Sequence, residues 1–240
     1  ITGEETVLHH VIGPGYEIVR IEGTDGNDII EVIVDGPSIA YVDGGAGADI
    51  IDGSEQADVL VGGPGDDTIN GYGGNDWLHG GSGTDTLDGG AGEDLVVGGP
   101  DNDYLYGGDD ADHIYGNGGD DFLNGLGGVD YLYGNDGDDH LYGDQDTTVV
   151  DYLYGNEGND SFHAAGRDYF IGGAGDDHTY LENGGFGANY IAISRGDGHD
   201  VIEGSGGLVN HDRLWFDQTI GVNELFFQQS TGLTDALFFG

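Results

Sequence analysis

The chain has 240 residues, with 47 acidic side chains against four arginines and a formal charge of −43. That balance excludes nucleic-acid binding through Lys or Arg on phosphates, and it disfavours direct attraction to anionic membranes. There is no cysteine to make a disulfide, and no apolar run reaches the roughly 18 residues of a transmembrane helix.

From the N-terminus, Ile1-Thr2-Gly3-Glu4 shows neither an initiator Met nor a charged-then-apolar leader, which sets the expectation of a piece of a longer or processed protein. Residues 1–43 are expected to form capping strands: Tyr16 to Ile21, Ile29 to Val34 and Ile39 to Val42 are rich in β-branched residues. Within this region Gly23-Thr24-Asp25-Gly26-Asn27-Asp28 is an isolated turn, with Asp28 as a candidate metal ligand. His9-His10 makes only a weak pair at an expected edge.

From residue 44 to residue 180 the chain repeats. Asp49, Asp58, Asp67, Asp76, Asp85, Asp94, Asp103, Asp112, Asp121, Asp130 and Asp139 stand nine residues apart without interruption. Each closes a six-residue turn that starts with glycine and follows the pattern Gly-Gly-x-Gly-x-Asp, with other residues at the second or fourth position in some copies. A short triplet follows, as in Gly62-Gly63-Pro64-Gly65-Asp66-Asp67-Thr68-Ile69-Asn70. Glycines at the first, second and fourth positions admit the positive φ angles that tight turns need. If the triplet is extended, its middle residue points inward. That inward column is Ile51, Leu60, Ile69, Leu78, Leu87, Val96, Leu105, Ile114, Leu123, Leu132 and Leu141, every member aliphatic.

Turn, strand, turn and strand close one coil in 18 residues, so the repeats alternate between two edges of an all-β parallel solenoid. Asp49, Asp67, Asp85, Asp103, Asp121 and Asp139 stack on one edge, and Asp58, Asp76, Asp94, Asp112 and Asp130 on the other. At the spacing of paired strands, about 4.8 Å, such carboxylates repel one another along the whole column. A divalent cation between neighbours reverses the sign. Calcium suits carboxylates and turn carbonyls together, whereas magnesium demands a strict octahedron and zinc prefers Cys and His. Same-edge neighbours within the regular block give about nine calcium sites or more.

The repeat has departures. The copy at Gly53 reads Gly-Ser-Glu-Gln-Ala-Asp58 and lacks two of its glycines. Three extra residues after Gly143 displace the next aspartate to Asp151, and a residue missing before Ile171 puts Asp168 out of phase. Asp160 and Asp177 lie in good copies, although Thr179 replaces the inward aliphatic of the second. Asp151, Asp160 and Asp177 join the candidate ligands, with Asp151 and Asp168 the least regular positions.

The nonapeptide Gly-Gly-x-Gly-x-Asp-x-(aliphatic)-x resembles the RTX (repeats-in-toxin, haemolysin-type) calcium-binding repeat of secreted bacterial proteins. The resemblance implies a right-handed parallel β-roll with calcium between successive turns. It also implies type I secretion, the chain crossing unfolded at low calcium and folding outside the cell. The expected function is that of a calcium-binding module of a larger toxin, protease, lipase or adhesin, with the rest of the parent chain as its partner.

Residues 181–240 are expected to cap the roll: Asn189 to Arg195 is strand-like, and Asp212-Arg213-Leu214-Trp215-Phe216 resembles the segment that follows haemolysin-type repeats. The apolar Leu237-Phe238-Phe239 ending suggests a cut inside a longer protein.

Outward positions differ between the two faces. One carries Val59/Val61, Trp77/His79, Leu95/Val97, His113/Tyr115, Tyr131/Tyr133 and Tyr152/Tyr154, an apolar and aromatic strip. Two readings stay open: stacking between parallel strands, or a docking face for a protein or glycan, as in an adhesin or surface-layer segment. His79, His113, His140, His163 and His178 fall at outward positions where histidine is tolerated. The chain has no His-Glu-x-x-His, no Gly-x-Ser-x-Gly and no thiol or lysine nucleophile, so no enzymatic activity is expected within these residues. A carbohydrate-active enzyme built on the roll is the remaining alternative.

Overall fold

A computed structural model describes residues 6–12, 18–34, 36–144, 149–164, 168–181, 190–193, 198, 200–204 and 213–216. Among them the chain is all β: strands alternate between two 11-stranded sheets, every recorded pairing is parallel, and there is no helix. The first sheet takes, in order, Thr6–Ile12, Asp28–Val34, Ile50–Ser54, Thr68–Tyr72, Thr86–Ala91, Tyr104–Asp109, Phe122–Gly127, His140–Tyr142, Ser161–Ala164, His178–Leu181 and Val201–Gly204. The second takes the alternate strands: Ile18–Thr24, Ile39–Gly45, Val59–Pro64, Trp77–Ser82, Leu95–Gly99, His113–Gly118, Tyr131–Asp136, Tyr152–Glu157, Tyr169–Ala174, Tyr190–Ile193 and Arg213–Phe216.

The register follows the nonapeptide. Thr68 pairs with Thr86 and Trp77 with Leu95, an offset of 18 residues, or two repeats per coil. Such a chain is a β-solenoid: each strand finds its partner one coil away, and consecutive strands face each other across the core.

The core is a single file. Every residue of the inward column from Ile51 to Leu141 is fully buried, and Ile30, Leu153, Phe162 and Phe170 extend it at both ends. Thr179 stands buried in that file where the repeat would place an aliphatic side chain.

The turns are as tight as the glycine pattern requires. At Gly65 (φ 142°) a β-carbon would collide with the carbonyl of Gly47 in the preceding coil, so the coils approach there too closely for any side chain. The irregular stretches are absorbed by the register. It lengthens to 21 between Tyr131 and Tyr152 and shortens to 17 between Tyr152 and Tyr169, yet the strands stay in line. Trp215 lies within a strand, whereas Leu237 to Phe239 fall outside the described residues.

Candidate metal centre

Each repeat aspartate lies at the end of a turn, immediately before its strand, and its main chain is used on both sides. The Asp49 carbonyl accepts the amide of Thr68 at 2.8 Å, while the Asp49 amide donates to Asp67 Oδ1 at 2.8 Å. The second bond recurs from coil to coil, so each carboxylate is fastened to the backbone of the aspartate before it on the same edge.

Two ladders result. One runs from Asp28 through Asp49, Asp67, Asp85, Asp103, Asp121, Asp139, Asp160 and Asp177 to Asp200, each amide donating to the next carboxylate. The other starts from the amide of Ala40 and runs through Asp58, Asp76, Asp94, Asp112, Asp130 and Asp151 to Asp168. These are the two edges that the period assigns, extended at both ends. Asp151 and Asp168, irregular by spacing, keep their places, and the displacement of Asp168 is corrected: it is buried and accepts the Asp151 amide at 3.0 Å. Offsets of 21 and 17 leave the column intact because a turn can gain or lose residues while the strand stays in register. Asp200 lies outside the regular spacing, and its sequence signal is the Gly198-His199-Asp200 fragment of the same motif.

Oδ1 is thus spent on the backbone, and Oδ2 is what remains. For every repeat aspartate from Asp49 to Asp139 except Asp58, and for Asp160, Oδ2 is sealed from solvent and has no hydrogen-bond partner. A buried anionic oxygen without a partner is costly unless a cation meets it. Its surroundings supply what a hard cation takes. A β-carbon on Gly44 would lie 2.5 Å from Asp49 Oδ2 and 2.8 Å from the Gly62 carbonyl oxygen, so acid and carbonyl of adjacent coils converge on one small space. The same convergence recurs at Gly116 with Asp121 Oδ2 and the Gly134 carbonyl.

The described residues contain no group of three or more His, Asp or Glu side chains that could hold a metal. The remaining donors are therefore main-chain carbonyls, the oxygen-rich set that calcium prefers. The residues present fit that ion.

The electrostatics agree. Burial pushes Asp76, Asp112 and Asp121 up to about 8; the accepted amide hydrogen bond opposes this, and carboxylates one coil away add to it. Asp85, Asp103 and Asp130 rise to about 7, again chiefly by burial. A column of acids that resists ionisation while metal-free has the electrostatic form of a cation site.

Among the described residues no histidine side chain takes part in the amide-to-carboxylate hydrogen bonds of these columns. The ring of His113 stacks on Tyr131 at 4.8 Å and that of His163 on Tyr142 at 4.5 Å, both on outward faces. The side chains of His9 and His10 lie outside the described residues.

The sequence matches the family model of the RTX calcium-binding nonapeptide repeat (4 copies) over residues 41–60, 52–87, 61–96, 88–123, 97–132, 115–150, 150–165 and 164–191. Comparison with curated proteins gives no match. The matched copies overlap across the two aspartate columns and the coils that hold them, and the chain belongs to the RTX calcium-binding nonapeptide repeat family.

Proposed function

We propose that this chain is the calcium-folded module of a larger secreted bacterial protein, a toxin, protease, lipase or adhesin exported by a type I system. The observation that carries this reading is the double column of buried Oδ2 atoms without a hydrogen-bond partner, converging with a glycine carbonyl of the next coil at Asp49, Asp67, Asp76, Asp94, Asp112, Asp121 and Asp160. At low calcium these carboxylates repel and the roll is opened by its own charge. At extracellular calcium the same atoms are neutralised coil by coil, and metal binding becomes folding free energy. Ligands are Asp49 to Asp139 at the repeat phase, excepting Asp58, together with Asp160. We assign no reaction to these residues.

Titrating the metal-free chain with calcium tests the proposal. Strand signal in circular dichroism is expected to rise cooperatively, with uptake of about nine ions. A spectrum equally strand-rich in excess chelator would refute the folding role.

The tyrosine face supports a scaffold better than a sugar platform. Tyr131 stacks on Tyr152 at 4.7 Å with planes 2° apart, and Tyr152 stacks on Tyr169 at 4.9 Å. Tyr115, Tyr133 and Tyr154 form a second ladder at 4.8 Å spacing. Within each ladder the ring faces cover one another, so a glycan would meet edges and hydroxyls rather than open aromatic faces.

A further inference from the structure

Asp58 breaks the rule of the columns. Its Oδ2 accepts both the amide and the hydroxyl of Ser54, each at 2.8 Å, so the oxygen left without a partner in the next coils of the column, Asp76 to Asp130, is satisfied here by protein alone. Ser54 occupies the second turn position, taken by glycine in the regular copies. Its register partner in the next coil, Tyr72, adopts φ 71°, and Asp76 Oδ2 beyond it has no hydrogen-bond partner. Ser54 stays out of that left-handed region, and its amide turns onto the carboxylate. Gly99 also lacks a positive φ, yet Asp103 Oδ2 keeps no partner, so the approach of amide and hydroxyl is the deciding feature.

The surroundings of Asp58 differ accordingly. A β-carbon on Gly53 would first meet the carbonyls of Gly71 and Asn70, whereas one on Gly62 would first meet the carboxylate of its own turn and one on Gly71 would meet its carboxylate and the Gly89 carbonyl at equal distance. The Asp58 oxygen has swung out of the space where acid and carbonyl converge. On the other edge Thr24 caps Asp28 Oδ2 with both its amide and its hydroxyl, although there the carboxylate still converges with the Gly44 carbonyl beside Gly23, unlike Asp58. Asp28 and Asp58 head their respective columns.

We propose that Asp28 and Asp58 are not calcium ligands: Thr24 and Ser54 take the place of the ion, so each calcium column starts one coil further on. This rests on the calcium reading of the columns. It divides the carboxylates of one motif into metal-bound and protein-capped classes according to the residue at the second turn position.

Calcium stoichiometry of the full chain, counted by native mass spectrometry and isothermal titration, tests it. Asp76→Asn is expected to lose one ion and Asp58→Asn none. Ser54→Gly, which removes the hydroxyl and returns the repeat's glycine, is expected to gain one, as is Thr24→Gly. Equal losses in Asp58→Asn and Asp76→Asn, no loss in either, or no gain in Ser54→Gly would overturn the proposal. If Asp58→Asn does not fold in calcium, the Ser54→Gly count decides. A wild-type chain that takes up no calcium would sink the module reading itself, a different result from any of these.

Discussion

Asp67 Oδ1 accepts the amide of Asp49 at 2.8 Å, while Asp67 Oδ2, sealed in the same turn, has no hydrogen-bond partner. The two oxygens of one carboxylate thus do separate work. One ties the coil to its predecessor, and the other is left for a cation.

Substitutions at Asp67 separate those roles. Asp67→Asn keeps a carbonyl acceptor for the Asp49 amide and loses the anionic oxygen, so it should fold in calcium with one ion fewer. Asp67→Ala also strands that buried N–H, adding a cost of about 1–3 kcal/mol. Calcium titration followed by circular dichroism should show a higher midpoint for alanine than for asparagine. Equal midpoints would mean that the inter-coil hydrogen bond contributes nothing.

The response to pH has opposite signs with and without metal. Burial raises Asp67 to about 6, Asp85 to about 7 and Asp76 to about 8, from 3.8 in the open chain. Raised values mean that the metal-free roll is unpenalised below about 4 and loses stability as pH rises from there through 8. In chelator, strand signal should therefore grow on acidification from pH 8 towards 4. With calcium present, protons compete for the same oxygens, so the calcium midpoint should rise as pH falls towards the aspartate range. An unchanged chelator spectrum across that window would contradict the burial of these carboxylates.

The aromatic ladder should stabilise without binding metal. Tyr131 stacks on His113 at 4.8 Å and on Tyr152 at 4.7 Å. Aromatic pairs contribute about 0.5–1.5 kcal/mol each, so Tyr131→Ser should cost about 1–3 kcal/mol. A lower thermal midpoint in saturating calcium with unchanged ion count is the expected result. A changed ion count would tie the face to the metal columns.

Leu126 holds φ 71° at the second position of its turn, and the residue is 46 % exposed. A left-handed conformation costs a side-chain-bearing residue about 1–2 kcal/mol. Leu126→Gly, which restores the consensus glycine, should stabilise the calcium-loaded roll by about 1 kcal/mol once the unfolded chain's added freedom is counted. Differential scanning calorimetry reads this directly, and a lower midpoint would show that Leu126 packs more than its exposure suggests.

Much of the architecture is legible in the residue pattern alone. A period of nine with an aliphatic residue at one phase and an aspartate at another dictates which side chains face the core, because strand side chains alternate and the turns return the chain every two repeats. The inward column, the two edges and the outward pairing of His113 with Tyr131 all follow from counting. Counting failed where turn lengths vary. Asp168 looked misplaced, and the strand Thr6–Ile12 carries no repeat to announce it.

The sequence alone determined the coil length, the core file and the placing of acids on two edges, since those depend only on spacing along a regular strand–turn unit. Tertiary structure decided which oxygen of each acid meets backbone and which stays open. It also decided that Ser54 closes the one on Asp58, and that a 17-residue step still brings Asp168 beneath Asp151. Those outcomes depend on distances between coils of a few ångströms, and such distances exist only once neighbouring turns have stacked.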